Sequence, residues 1–139
     1  MSEQNKAVVR RFIDGWINRH DPAAFKESTA ADVVFHWGAM GEGESAEEMR
    51  TREEEARTAF PDLEATSAGT LAEGDLVMER YTITGTHRGR WFGAEATGKR
   101  AEWTAVATYR IENGQIAEMW LNEDWAGVLQ QVGALPPHA

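Results

Sequence analysis

The chain changes its hydrophobic period just before its middle, and that change constrains the fold more than any other feature. From Glu3 to Asn18 the apolar residues Val8, Val9, Phe12, Ile13, Trp16 and Ile17 recur at steps of three and four, the spacing that places one apolar stripe on a helix. After Phe60-Pro61-Asp62 the pattern is that of strands, in Leu63 to Ala72, Leu76 to His87 and Lys99 to Ile111, with a last segment around Glu118. Gly74-Asp75 and Asn113-Gly114 supply compact hairpin turns, and a longer Gly-rich loop covers Arg88 to Gly98. Helices followed by an antiparallel meander is the segregated order of an α+β domain rather than of βαβ units.

The remaining elements fall between these two regimes. His20-Asp21-Pro22 ends the first helix, and Asp21 with Pro22 reads as N-cap and first position of a short second helix carrying Phe25. Val33-Val34-Phe35-His36-Trp37 predicts a first strand, stopped by Gly38. Ser45-Ala46-Glu47-Glu48 fits a capping box that opens a helix reaching about Ala59. A length of 139 residues predicts one domain over 1–139, with a loose tail from about residue 134.

A formal charge of −9 repels phosphate backbones and anionic membranes, so neither nucleic acid nor a membrane surface is an expected partner. The apolar runs are too short to span a bilayer, and Met1-Ser2-Glu3-Gln4-Asn5-Lys6 lacks the basic and apolar regions of a signal peptide, which predicts a soluble cytoplasmic protein. The chain has no Cys, and His20, His36, His87 and His138 show no ligand spacing, so no metal site is expected. No dinucleotide, phosphate-loop or Gly-x-Ser-x-Gly pattern occurs. Six Trp in so short a chain fit either a core or a flat hydrophobic ligand.

Alternation in the last strand segment puts Glu118, Trp120, Asn122 and Asp124 on one face, a polar and aromatic row suited to the wall of a pocket. A two-residue turn at Asn113-Gly114 places Trp103 opposite Asp124, Ala105 opposite Asn122 and Ala107 opposite Trp120. A carboxylate against an indole loses hydration, so its pKa rises and it becomes able to take and return a proton. A bulged turn would slip the pairing by one and bring Glu102, Thr104, Val106 and Thr108 to that face instead.

Each candidate also has a structural reading. Asp124 precedes Trp125 to Gln131 and is suited to N-cap a final helix. His36 points away from Phe35 and Trp37, toward a pocket as a donor or toward a purely structural partner. Arg80 is placed to steady a developing enolate or to pair with an acid such as Glu118. Trp16 belongs to the helix stripe and reaches a ligand only with its edge, and Glu53-Glu54-Glu55 reads as a solvated face. Val106 and Thr108 with Leu121 and Met119 form a second, fairly apolar face of the last hairpin, which predicts packing on a second copy in a homodimer.

Phe60-Pro61-Asp62-Leu63, Ala72-Glu73-Gly74-Asp75, Thr84-Gly85-Thr86-His87-Arg88-Gly89, Ala96-Thr97-Gly98-Lys99, Asn113-Gly114-Gln115-Ile116-Ala117-Glu118, and Trp120 to Gly133 with Asp124 and Gln131-Val132-Gly133 occur in this order. Together they resemble the SnoaL-like polyketide cyclases, a branch of the nuclear-transport-factor-two-like superfamily. The resemblance implies a cone-shaped, strongly curved mixed or antiparallel sheet wrapped around N-terminal helices. It implies an intramolecular aldol-type ring closure on a small hydrophobic or aromatic carbonyl compound, without metal or organic cofactor, in which Asp124 matches the acidic residue that moves the proton. His36, Arg80, Trp103, Glu118, Trp120, Asn122 and Trp16 are the accompanying substrate-binding candidates. Met119 stands where many relatives carry a histidine before the tryptophan. Two other functions stay open: a non-catalytic binder of a small aromatic ligand, and a hydroxylase or epoxide hydrolase on the same fold, for which a second carboxylate and an arginine are needed beside the first.

Overall fold

The computed structural model of the protein describes residues 2–38 and 42–136. Helix α1 (Ser2–Arg11) runs on into a wider π-helical segment, Phe12–Asn18, and the stripe Val9, Phe12, Ile13 and Trp16 is buried as the helical spacing predicts. A Cβ at Gly15 would lie 2.3 Å from that of Ala24, so the absence of a side chain there lets the segment close on helix α2 (Pro22–Ser28). Asp21 caps α2, its side chain accepting from the Ala23 N–H at 3.0 Å. Strand β1 (Thr29–His36) follows, then helix α3 (Ala46–Ala59). The expected capping box forms at α3: the Glu48 N–H donates to Ser45 Oγ at 3.2 Å, and the Ser45 N–H to Glu48 Oε1 at 3.1 Å.

Strands β2 (Glu64–Glu73), β3 (Leu76–Thr86), β4 (Arg100–Glu112) and β5 (Gln115–Glu123) lead to helix α4 (Trp125–Gln131). The sheet order is β1-β5-β4-β3-β2, with β1 parallel to β5 and every other pair antiparallel, so the sheet is mixed and its edges β1 and β2 stay open. This is the α+β class expected from the sequence. On β3 and β4 the odd-numbered residues, from Val77 to Ile83 and from Ala101 to Ile111, turn inward and join Phe12, Trp16, Phe25 and Met49 in one core. Helix α4 ends with the Ala134 N–H donating to Leu129 O at 2.7 Å and the Leu135 N–H to the same oxygen at 3.2 Å. The rest of the tail expected to be loose, 137–139, lies outside the described residues.

The register of the last hairpin differs from the simple two-residue expectation. Glu112 pairs with Gln115 and Ile111 with Ile116, as that turn requires, but the next pair is Arg110 with Glu118. Ala117 is therefore an extra residue on β5, a bulge that lets two residues oppose one. Strand β4 keeps its odd-numbered face inward throughout, whereas β5 changes from Ile116 to Met119, Leu121 and Glu123. The row Glu118, Trp120 and Asn122 is thereby turned to the other side of the sheet. Among the described residues, no helix is long and apolar enough to cross a membrane.

Candidate active site

Between the π-helical segment, α3 and the inner faces of β3 to β5 lies a cavity of about 100 Å³. Its wall is almost wholly apolar and aromatic, with Trp37, Phe60, Trp91, Trp103, Tyr109 and Trp125 among its lining residues. Trp91 and Phe92 come from the loop between β3 and β4, and both rings contact Trp125 at the start of α4, with centroids 5.5 and 5.7 Å away. Phe92 is itself 46% exposed, which places this aromatic cluster at the mouth.

Into this apolar space the fold turns two carboxyl groups. Glu123 is the last residue of β5, and the bulge at Ala117 aims it inward, opposite Ala105. The Trp103 indole N–H donates to Glu123 Oε2 at 2.7 Å. Burial pushes the Glu123 carboxyl up to about 7; the Trp103 hydrogen bond pulls against this, and the charge of Glu53 adds to it. Glu53 faces the same cavity from α3 and is 7% exposed. Burial raises it also to about 7, although Arg57, whose Nε and Nη2 lie 3.3 Å from Glu53 Oε1, favours its charged form. The solvated face expected for Glu53-Glu54-Glu55 holds for Glu54 and Glu55 alone, because the helical turn points Glu53 into the core.

At the cavity floor, the Tyr81 and Tyr109 hydroxyls are 2.6 Å apart, and buried Glu79 accepts from Thr70 Oγ1 at 2.6 Å. Burial raises both phenol pKa values, so these tyrosines stay protonated. Arg52 also lines the cavity; it pairs with Glu44 and lies over the Trp37 ring, 5.1 Å from its centroid. The indole N–H groups of Trp37 and Trp91 are buried without a partner among the described residues.

Of the residues singled out from the sequence, Trp103 lines the cavity. Asp124 is exposed and N-caps α4, accepting from the Gly127 N–H at 2.9 Å. The bulge moves it out of the register that would have set it against Trp103, and Glu123 occupies that neighbourhood instead. His36, Glu118 and Trp120 gather on the outer side of the sheet. His36 Nε2 lies 2.6 Å from Glu118 Oε2, its Nδ1 meets Glu42, and its ring stacks on Trp120 at 5.3 Å. Burial lowers the His36 pKa, but these two carboxylates outweigh it and leave the imidazole raised.

Asn122 is exposed opposite Val106, and Arg80 reaches Ala68 O at 3.5 Å on the surface. Trp16 is buried in the helix stripe, stacked on His20 rather than on the cavity. The sequence placed Glu53 on a solvated face and did not single out Glu123. A signal for Glu123 exists in the apolar positions Ile116, Met119 and Leu121, where a step of three followed by a step of two marks a bulge and makes the odd residues the inner ones. Among the described residues, no three His, Cys, Asp or Glu side chains gather to hold a metal ion.

Helices laid on one face of an open mixed sheet, with an aromatic cavity between them, define a small-ligand pocket protein of the cone-shaped α+β type. The chain belongs to the SnoaL-like polyketide cyclase family, whose profile matches residues 6–132. It is similar to AclR, a proposed hydroxylase from Streptomyces galilaeus, with 29% identity over 100% of this chain and 87% of that one and a TM-score of 0.89. It is similar also to IdmH, a proposed polyketide cyclase from Streptomyces antibioticus, with 27% identity, 94% and 99% coverage and a TM-score of 0.86. A proposed SnoaL-like cyclase from a Jannaschia species shares the fold at 23% identity, with 98% and 95% coverage and a TM-score of 0.88. Comparison with curated proteins gives no match.

Proposed function

We propose that the protein is a cofactor-independent acid–base enzyme of the cyclase type, acting on a flat, hydrophobic carbonyl compound, with Glu123 as the proton carrier. One observation carries this reading: a carboxyl group that accepts from the Trp103 indole, and that burial raises to about 7, shares a largely apolar cavity with a second acid, Glu53. Such a group exists in both protonation states near neutrality. As carboxylate, Glu123 takes a proton from the carbon beside a carbonyl; the enolate carbon then attacks a second carbonyl of the same molecule, and the new alkoxide takes the proton of Glu53, the acid of that step. Glu123 is then protonated and Glu53 ionised, and the pair resets when Glu123 releases a proton and Glu53 regains one, which groups that both titrate at about 7 do readily. The cavity is smaller than a multi-ring ligand fills, so binding requires the Trp91, Phe92 and Trp125 cluster to shift outward.

The test measures proton abstraction without presupposing the natural substrate. Exchange of the α-hydrogen of flat cyclic diketones is followed by NMR in deuterated water, while quenching of tryptophan fluorescence reports binding. Glu123→Gln is expected to slow exchange by about 10²–10⁴-fold with binding retained. An unchanged rate sinks the proposal. Loss of exchange in Asp124→Asn with Glu123→Gln unaffected transfers the role to the residue at the family's acidic position.

A second reading has its own support. Glu53, Glu123 and Arg57 supply the two carboxylates and arginine that activation of water on this fold requires, and AclR is a proposed hydroxylase. Incorporation of labelled oxygen from water into product separates it from ring closure. For partners, we propose a homodimer through the outer sheet face. The face differs from the one expected: Met119 and Leu121 turn inward, and Val106 and Thr108 stand beside Trp120 and exposed Met78.

A further inference from the structure

We propose that His20 is the proton conduit between Glu53 and bulk water, an inference that rests on reading the cavity as an acid–base site. A ligand that fills the cavity would exclude water from it, so Glu53, itself only 7% exposed, needs another path to exchange its proton with solvent. Glu53 has such a path toward His20, just beyond the end of the π-helical segment. Its Oε1 accepts from Arg57, whereas its Oε2 is buried with no partner. His20 Nδ1 lies 4.0 Å from Glu53 Oε1 and is likewise buried with no partner. Nδ1 and the second oxygen of the same carboxyl group thus both lack a partner among the described residues, a costly arrangement that direct contact between the imidazole and the carboxyl would relieve. The gap is slightly beyond hydrogen-bond range and closes with a small rotation of the Glu53 side chain.

The imidazole is held for this task. Its ring stacks on Trp16 with centroids 4.5 Å apart and planes 24° from parallel. Its backbone sits at φ 56°, in the left-handed region where the π-helical segment ends, and its N–H donates to Trp16 O at 2.9 Å. The side chain is 34% exposed, with Nδ1 inside and Nε2 on the open edge. One ring thus spans the wall between cavity and solvent.

The surrounding charges set where the proton rests. Arg57 and Glu54 face the pair from α3, and Glu123 faces Glu53 from β5. Burial and the Arg57 charge lower the His20 pKa while burial raises that of Glu53, so the proton sits on the carboxyl and the imidazole is neutral. For transfer outward, the Glu53 O–H bond breaks as an N–H bond forms at Nδ1, and the Nε2–H bond breaks as that proton passes to water. Glu53 is left as a carboxylate beside Arg57, and reversal of the same steps reloads it.

Two measurements test this, neither using a substrate. In the first, a light-triggered acid pulse is followed by time-resolved infrared at the carbonyl stretch of protonated Glu53, assigned by its loss in Glu53→Gln. His20→Gln is expected to slow protonation tenfold or more, and added imidazole to restore the rate in His20→Ala. An unchanged rate in His20→Gln overturns the conduit. The second keeps His20 intact and so does not depend on the folding of its variants. Labelled histidine and glutamate are titrated by NMR between about pH 4 and 9. His20 and Glu53 are each expected to titrate in two steps, and Glu53→Gln to leave His20 with one. A single His20 step that is indifferent to Glu53→Gln overturns the proposal. Failure of the acid–base reading looks different: α-hydrogen exchange then persists in Glu123→Gln whatever His20 does.

Discussion

The Trp103 indole N–H points at the Glu123 carboxylate from the neighbouring strand, two residues along from the position directly opposite, and closes on it at 2.7 Å. That hydrogen bond favours the ionised acid, while burial and Glu53 favour the neutral one. Trp103→Phe keeps most of the ring and removes the donor. The Glu123 pKa is therefore expected to rise further above about 7, with a stability loss of about 1–3 kcal/mol at alkaline pH, where the acid is charged and lacks its donor. Titration of labelled glutamate checks the first effect and urea denaturation the second. A fall in the Glu123 pKa would contradict the assigned geometry.

The two cavity acids give stability an unusual dependence on pH. Each has a folded pKa of about 7, above the unfolded value near 4.3, so between these values the folded state binds more protons than the unfolded one. Stability from these groups falls as pH rises through that window and levels off above it. His36 acts in the same sense: its raised pKa contributes fully below about 6.5 and is lost as pH passes its folded value. Asp62, held down chiefly by the Thr86 backbone N–H at 2.7 Å, and Glu118, held down by His36, act oppositely, contributing above the unfolded carboxyl range and losing that contribution as pH falls through their folded values. The stability maximum is expected on the acid side of neutral. In Glu53→Gln the drop in urea stability between about pH 5 and 8 should shrink by on the order of 2 kcal/mol, and an undiminished drop would rule out a buried, titrating Glu53.

Asp124 and Gly127 form a separate unit with a structural job. The Asp124 carboxylate folds back over the first turn of α4, and a Cβ at Gly127 would meet its Oδ2 at 2.2 Å. Asp124→Ala should cost about 1 kcal/mol through loss of the cap. Gly127→Ala should forfeit the gain of about 1 kcal/mol that alanine ordinarily has over glycine within a helix, because its Cβ displaces the capping carboxylate. In the Asp124→Ala background the same change should become neutral or stabilising, because nothing remains to clash. Additive effects in this cycle would show that the two residues do not interact.

The outer sheet face exposes Met78 at 47% and Val106 at 36%, with Trp120 half-buried beside them. Sedimentation should give a dimer, and Met78→Glu should shift it to monomer by placing a charge between exposed Leu71 and Thr108, in the row that ends at Trp120. A wild-type monomer would mean that the sheet tolerates this face in water.

The coarse fold was legible because its signals are local. The stripe from Val8 to Ile17, the Ser45 capping box and the Asn113-Gly114 turn each depend on neighbours within a few residues. The identity of the inner acid was not, because strand side chains alternate and one extra residue exchanges Glu123 for Asp124. Asp124 was legible as a cap from the same residues that made it a candidate acid. Glu53 was hidden for a different reason: in an acidic run on a helix, only the position of the helix against the sheet decides which carboxylate is buried.

The bulge itself is open to test. Ala117 is the extra residue between the pair Ile111–Ile116 and the pair Arg110–Glu118. Deleting it leaves both pairs, and every pair beyond them, available without a break, with Met119, Leu121 and Glu123 still turned inward. The deletion is therefore expected to fold, with the Trp103–Glu123 hydrogen bond and the raised Glu123 pKa retained. Its cost should fall on the parallel pairing with β1, whose register also shifts between Thr29 and Val34. Inserting one residue after Glu118 has the opposite consequence, since it carries Glu123 to the outer face and brings the residue before it to the cavity. Because Asn122 would then stand against Trp103, the insertion should remove the Glu123 titration near neutrality and leave that of Glu53, even if the chain still folds. Titration of labelled glutamate in the two variants reads the difference directly: a normal Glu123 in the deletion, or an unchanged one in the insertion, would mean that the register is set elsewhere.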